Sequence, residues 1–431
     1  MLRDKWSLIV MMVTLVVLLL SACQPIQLTS SDAPTFEVGA CPFAIPPDIV
    51  EGEDVLCGYV IVPEDHSNHL GSQIRLAVVI VKDNSDEHQP DPVLLLSGGP
   101  GERVVANAPM LVPFLESIYP HRDLVLFDQR GVGLSAPALE CPEFLEAQFE
   151  ILDETDNAVV AKIVHDATEA CADRLVDEGY NLSAYNTTQN AADVDAIRRA
   201  LGYEQVNLYG GSYGSLLAQA VMRDHPENIR SVVLTSVLPL EKSLFVDASA
   251  TTAQAILRLL DTCAADEACN AAYPDLQSKL YEVIDRLNAE PVPVTVTNPL
   301  DGESYDALLT GETVRANLVT FLYTTQIIPV LPQAIDDVYE GDYELMTQLS
   351  STRLALLDLL SRGMTFSVIC AEDLVGRTSD DLLALMASLP RQLVVGAEPE
   401  TIIEDGIFGI CADWPVEEAA PSVKAPLVSN I

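Results

Sequence analysis

An α/β protein is what this sequence predicts: a mostly parallel, doubly wound sheet interrupted by a large, mainly helical insertion. Three observations carry that expectation. Short apolar runs alternate with helix-forming stretches between residues 91 and 239, as they do when strands feed helices on both faces of a parallel sheet. The run VNLY (206–209) meets the turn GGSYG (210–214) and then SLLAQAVMRDH (215–225), which reads as strand, tight turn, helix. From about residue 240 to 395 the alternation disappears and helical periodicity takes over.

Taken in order, CGYVIVP (57–63) and QIRLAVVIVK (73–82) alternate as two strands joined by the polar turn EDHSNHLGS, an antiparallel opening pair. DPVLLLS (91–97) is a continuous apolar run, the kind found in a strand covered on both faces. It ends in Gly98-Gly99-Pro100-Gly101, a turn whose backbone can approach a ligand closely. DLVLFDQRGVGLS (123–135) adds a buried strand closed by Asp128, Gln129, Arg130 and Gly131; the acid and the arginine read as supports of the glycine loop. Helical periodicity covers 156–178 and 188–201, with Gly202 as a stop, and RSVVLTSVLP (230–239) is one more strand.

The insertion contains helical runs at 250–266, 276–288, 313–324 and 342–361, broken by a hairpin over 292–309. It is expected to cap the carboxyl edge of the sheet, where ligands of open α/β sheets bind. The expected organisation is a leader over 1–22, a flexible tether over 23–40, a core over 41–239, a cap over 240–412 and a return to the core over 413–431.

In the GxSxG turn, Gly210 and Gly214 let the backbone fold back sharply enough for Ser212 to project at the sheet's carboxyl edge. The helix that starts there aims its free amides at the same place, so the N–H of Tyr213 is a candidate oxyanion donor. The N–H of Gly99 is the second, because the strand before it ends beside the serine turn in such an arrangement. A glycine-rich connection without chemistry is the alternative, and the combination with the second glycine turn argues against it.

Composition narrows the partners. The formal charge is -41, from 64 acidic and 23 basic residues, which repels phosphate backbones and anionic lipid headgroups; nucleic acid is not an expected partner. The amino terminus has a secretory plan: Arg3 and Lys5, then an apolar run of 14 residues over 7–20, then Leu20-Ser21-Ala22-Cys23. That run is short of the ~20 residues of a membrane span, and the last four residues resemble a bacterial lipoprotein box with Cys23 as the lipidated residue. The expectation is an extracytoplasmic protein held to the cell membrane through a lipid anchor alone. The following QPIQLTSSDAPTFEVG is polar and unperiodic, hence the tether.

Eight cysteines remain in what is then an oxidising compartment. None forms a CxxC pair or lies beside a histidine, so no metal or other cofactor is expected. The connectivity is open from sequence, and nearest-neighbour pairing is the economical choice: Cys41 with Cys57, Cys141 with Cys171, Cys263 with Cys269, Cys370 with Cys411.

Four stretches together, GGPG (98–101), DQRGVGLS (128–135), GGSYGS (210–215) and CAED (370–373), in order and spacing over about residues 41–431, resemble the α/β-hydrolase family of proline iminopeptidases and secreted tripeptidyl aminopeptidases. The resemblance implies an α/β-hydrolase fold with Ser212 as nucleophile, Gly99 and Tyr213 as the oxyanion hole, and a helical cap that admits short peptides by their free amino end. Secreted members of that family carry disulfides near the amino terminus and in the cap, similar to the pairs above. Glu372, in CAED, is the candidate partner for the peptide's ammonium group, since a partly desolvated carboxylate suits that charge.

Two departures accompany the resemblance. Ser97 stands where the family usually has a histidine before GGPG. The family's catalytic Asp and His lie beyond the strand that VKAPLVSNI introduces, so the expectation is a truncated form of a complete enzyme. None of the six histidines is expected at Ser212: His66 and His69 lie in a hairpin turn, His88 and His121 precede strands, His165 is in a peripheral helix, and His225 is 13 residues further along one helix, ~20 Å away. The expected function is a serine aminopeptidase working through an acyl-enzyme. An esterase on the same scaffold and a peptide-binding lipoprotein without catalysis are the competing readings. Substrate side-chain preference and oligomeric state are not encoded in these features.

Overall fold

A computed structural model describes residues 34–68, 70–394, 399–429 and 431. The leader, Cys23 and the first part of the tether lie outside the described residues, as does His69. The strands are β1 (Thr35–Gly39), β2 (Val55–Pro63), β3 (Gln73–Val81), β4 (Gln89–Leu96), β5 (Arg122–Phe127), β6 (Val206–Gly211) and β7 (Ile229–Thr235), in the sheet order β1-β2-β3-β5-β4-β6-β7. The first three and the β3–β5 pair are antiparallel, and β5-β4-β6-β7 are parallel. Between these strands come the helices α1 (Ala108–Ile118), α2 (Pro142–Glu150), α3 (Asn157–Asp177), α4 (Thr187–Ala200) and α5 (Tyr213–Asp224).

The end of the tether is not flexible. Thr35–Gly39 pairs with β2, from Thr35 opposite Ile61 to Gly39 opposite Cys57. Two features missing from a composition reading draw it in. Gly58 leaves the room that a side chain would take, since a Cβ there would stand 2.1 Å from the Glu37 carbonyl oxygen, and the Cys41–Cys57 disulfide fastens the chain just after the strand. The other disulfides are Cys141–Cys171, Cys263–Cys269 and Cys370–Cys411.

β4 sits between β5 and β6, so the connections leaving β4 and β6 diverge there and open a crevice at their carboxyl ends, the usual ligand position in such sheets. One face of the sheet packs on α3, α4 and α5 through Leu94, Leu96, Leu175, Ile197 and Leu217. The other packs on α1 through Val79, Val93, Leu115 and Leu124. Buried runs of Val, Leu and Phe on both faces explain why β4 and β5 read as continuous apolar segments.

The cap contributes α6 (Ala248–Ala265), α7 (Glu267–Ala272), α8 (Leu276–Ala289), the hairpin β8 (Val292–Thr297) and β9 (Ser304–Leu309), α9 (Gly311–Phe321), α10 (Leu331–Glu340), α11 (Glu344–Leu354), α12 (Arg362–Val368), α13 (Ser379–Ala387), α14 (Pro399–Glu404) and α15 (Ile407–Asp413). Its own apolar core runs through Ile256, Leu280, Leu318, Ile335 and Met346. The later part of the cap is shared between two cores: Leu393 belongs to the cap's own, whereas Met364, Phe366, Val368, Ile410 and Trp414 belong to the main core. The cap expected over 240–412 is thus divided, with α12 and α15 packed on the main core. The helix expected over 342–361 ends at Leu354, because Arg103 takes hold of the next turn, its amide donating to the Leu359 carbonyl (3.5 Å) and its Nη1 to the Asp358 carbonyl (2.6 Å).

Candidate active site

Ser212 stands between β6 and α5 at φ 54 and ψ -127, a backbone conformation that side-chain-bearing residues rarely adopt and that is held only where its surroundings enforce it. The enforcement is visible. The Ser212 amide donates to the Thr235 carbonyl of β7 (3.2 Å), and its carbonyl accepts from the Ser215 amide (2.9 Å) and hydroxyl (2.6 Å). The Ser215 hydroxyl in turn accepts from the Leu238 amide (2.8 Å). A Cβ on Gly214 would come within 1.9 Å of the Leu96 carbonyl oxygen, and one on Gly210 within 2.3 Å of the Gly214 carbonyl oxygen. Both elbow glycines are therefore required by close backbone approach.

The loop after β4 lies against the serine: a Cβ built on Gly98 would be 3.3 Å from the Cβ of Ser212. Gly99 and Gly101 both have positive φ, 101° and 100°. The loop is held from three sides. Gln129 Nε2 donates to the Ser97 carbonyl and hydroxyl oxygens, both at 3.0 Å, so Gln129 and Ser97 together position the strand end. Asp128 accepts from the amides of Val104 (2.7 Å), Val105 (2.9 Å) and Leu134 (2.8 Å). From the cap, Thr365 Oγ1 donates to the Pro100 carbonyl (2.7 Å) and the Ser361 amide to that of Gly101 (2.9 Å). Burial pushes the Asp128 carboxyl up, and the three amides work against that shift. Arg130 is fully buried and binds Asp193 in fork geometry, Nε to Oδ2 and Nη2 to Oδ1, both at 2.7 Å.

The amides of Gly99 and Tyr213 have no acceptor among the described residues. Tyr213 is the first residue of α5, where an amide has no partner within the helix. Each is an unpaired backbone donor, one in the loop after β4 and one next to Ser212 in the chain. The Tyr213 ring is buried behind the elbow, its hydroxyl 2.9 Å from Thr187 Oγ1.

Sequence reasoning missed Glu102. Its Oε2 accepts from the Gly98 amide at 2.8 Å, which places an exposed carboxylate beside the elbow. A single glutamate after GGPG carries no periodic or motif signal that would have marked it.

Glu372 is not where a substrate ammonium would meet it. It is 6% exposed, and its Oε1 accepts from the Thr187 amide (2.8 Å) in the first turn of α4. The cavity it shares with Pro100, Tyr213 and Leu216 is about 20 Å³, room for one water and not for a peptide end. Its neighbour Asp373 accepts from the amides of Leu244 (2.7 Å) and Phe245 (3.0 Å) and from the Ser243 hydroxyl (2.8 Å). Glu372 thereby ties this part of the cap to α4 of the core, and Asp373 ties it to the start of the cap at residues 243–245; charge at a helix N-terminus favours Glu372 there.

Burial raises the Glu372 carboxyl above its ordinary range, against the opposing effects of Thr187, Lys424 and Arg223. The folded protein then binds more protons than the unfolded chain, so stability is lost as pH rises from the ordinary carboxylate range through the folded value. Glu372→Gln should therefore melt higher than the wild type at neutral pH, and the difference should vanish at acidic pH, where the glutamate is protonated in both states. A lower melting temperature for Glu372→Gln at neutral pH would show that the helix terminus needs the charge more than burial penalises it.

Among the described residues no histidine lies within hydrogen-bonding distance of the Ser212 hydroxyl. His66 bonds Asp193 (2.7 Å), His88 faces Asp83 (3.6 Å), His121 faces Glu87 (3.1 Å), His165 lies between Asp405 and Asp413, and His225 terminates α5 at the end remote from the serine.

The alpha/beta hydrolase fold family profile matches residues 91–316, just over half of the chain, and the chain belongs to that family. It is 32% identical to the tripeptidyl aminopeptidase of Streptomyces coelicolor over 194 residues, 43% of this chain and 35% of that protein. With the serine protease Hip1 of Mycobacterium tuberculosis it shares 26% identity over 397 residues, 86% of this chain and 74% of that one. With carboxylesterase B of Mycobacterium tuberculosis it shares 30% over 282 residues, 61% and 52% of the two chains. The matched region thus spans about a third of the length of the tripeptidyl aminopeptidases.

Proposed function

We propose that this protein is an extracytoplasmic serine peptidase, with Ser212 as its nucleophile, that releases residues from the free amino ends of short peptides. The observation that carries the reading is the elbow itself: a serine at φ 54 followed by the unpaired amide of Tyr213, with the loop that holds the unpaired amide of Gly99 packed against it at Gly98. In the proposed reaction Ser212 Oγ attacks the scissile carbonyl carbon, the two amides donate to the oxygen that becomes negative, and the C–N bond breaks as the leaving amine takes up a proton. Water then splits the acyl-enzyme. A general base takes the Ser212 proton and passes it to the leaving amine, and in the second step it activates the water. The relatives named tripeptidyl aminopeptidase and serine protease support peptide bonds as the target. The four disulfides suit an oxidising compartment, and lipid attachment at Cys23 is the proposed tie to the membrane.

With Glu372 committed to α4, the proposal assigns recognition of the peptide ammonium to Glu102, the exposed carboxylate beside the serine. In an active form, chromogenic amides with a free amino end should be cleaved in preference to their N-acetyl counterparts, and Glu102→Gln should narrow that preference by about tenfold. Equal cleavage of free and acetylated amides would remove the aminopeptidase reading. Preferential cleavage of simple aliphatic esters would favour the esterase alternative, which the carboxylesterase relative supports. Loss of catalysis, leaving a peptide-binding lipoprotein, is the third reading and predicts binding of peptides without turnover.

A further inference from the structure

A cavity of about 540 Å³ opens between the cap and the segment joining α2 to α3, and neither Ser212 nor Gly99 lines it. Its size is that of a pocket for a small organic ligand. Leu152, Val294, Val296, Leu354 and Leu357 supply apolar walls, and Arg353, at the end of α11, supplies a cation. The Arg353 Nε is shut off from solvent and has no hydrogen-bond partner. No carboxylate lies within ion-pair distance of this guanidinium among the described residues. The acid that acts on it through space is Glu312, which is already engaged by Nε and Nη2 of Arg315.

That vacancy does not come from a shortage of acids, since the chain has 64 of them against 23 basic residues. Arg353 is half-buried, with its Nε the shielded part; a shielded guanidinium N–H without an acceptor is costly, and the penalty is relieved when an anionic acceptor enters. Guanidinium matches a carboxylate in fork geometry. The other charged groups of the lining are engaged, Asp285 by Arg391, Glu312 by Arg315 and Glu154 by the amides of Thr155 and Asp156, so Arg353 is the cation left to take a ligand, and the matching ligand has one anionic group on an apolar body.

We propose that this cavity binds a small apolar carboxylate, either an aliphatic acid or the carboxyl end of a short apolar peptide, with Arg353 taking the carboxylate. The site is separate from the Ser212 chemistry and does not depend on it.

The test is calorimetric titration of the 431-residue chain with octanoate, octanamide, and trileucine with a free or an amidated carboxyl group. At least one of the two acids should bind about tenfold or more tighter than its own amide. Arg353→Met should erase that difference, and Arg353→Lys should keep part of it. Binding of octanoate assigns the site to aliphatic acids, and binding of free trileucine alone assigns it to peptide ends. Equal binding of acid and amide, no binding of either acid, or undiminished acid binding by Arg353→Met would overturn the proposal. The comparison of acid with amide uses the wild-type chain, so it remains decisive if a variant misfolds.

Discussion

Replacing Gly214 by alanine should leave little folded protein, with a loss of stability beyond the ~1–3 kcal/mol usual for overpacking. The new Cβ would lie 1.9 Å from the Leu96 carbonyl oxygen and 2.9 Å from that of Ser97. Both are backbone atoms at the end of β4, and neither can move freely. Leu96 pairs with Gly210 across the parallel β4–β6 ladder, and the Ser97 carbonyl is held by Gln129. Relief would have to come from separating α5 from the strand end, which breaks the elbow and unpacks a helix buried from Tyr213 to Val221. Gly211→Ala is the control. Its Cβ would meet the Thr235 Oγ1 at 3.0 Å, a side-chain atom that can rotate away, and the melting temperature should fall only slightly. The measurement is thermal unfolding of both variants with trypsin resistance as a second readout. A Gly214→Ala protein that melts like the wild type would mean that the elbow tolerates another geometry.

The parts of this architecture that show in the sequence are those whose physics is local. A turn that needs glycine at two fixed positions, set between an apolar run and a helix-forming run, is readable at 206–225 without tertiary knowledge. The cap is readable because helical periodicity replaces alternation. What stayed hidden depends on distant residues. β1 is only five residues long and exists because Gly58 and Cys57, about twenty positions later, admit and fasten it. The helix expected through residue 361 is cut at Leu354 by hydrogen bonds from Arg103, 255 positions earlier in the chain at Asp358. Glu372 reads as a free acid until Thr187, 185 positions away, is seen to occupy it. Arg130 likewise gives no sign in sequence that Asp193 is its partner.

The 431-residue chain should react with a fluorophosphonate no faster than its Ser212→Ala variant. The strained backbone at Ser212 and the unpaired amide of Tyr213 are present, yet no histidine among the described residues is placed to accept the hydroxyl proton, and a protonated serine is a poor nucleophile. Loss of the base from a serine–histidine pair lowers turnover by about 10⁶, while oxyanion donors and binding alone retain only about 10³ to 10⁴ over water. The two oxyanion amides therefore do not rescue the reaction at a useful rate. The same probe should label Ser212 rapidly in any form of the protein that brings an imidazole to the elbow, and mass mapping of the adduct would locate it on the peptide spanning 206–225. Fast labelling of the 431-residue chain, abolished by Ser212→Ala, would contradict this expectation and show that a base operates within it. Substituting the histidines one at a time, starting with His69, which lies outside the described residues, would then identify that base.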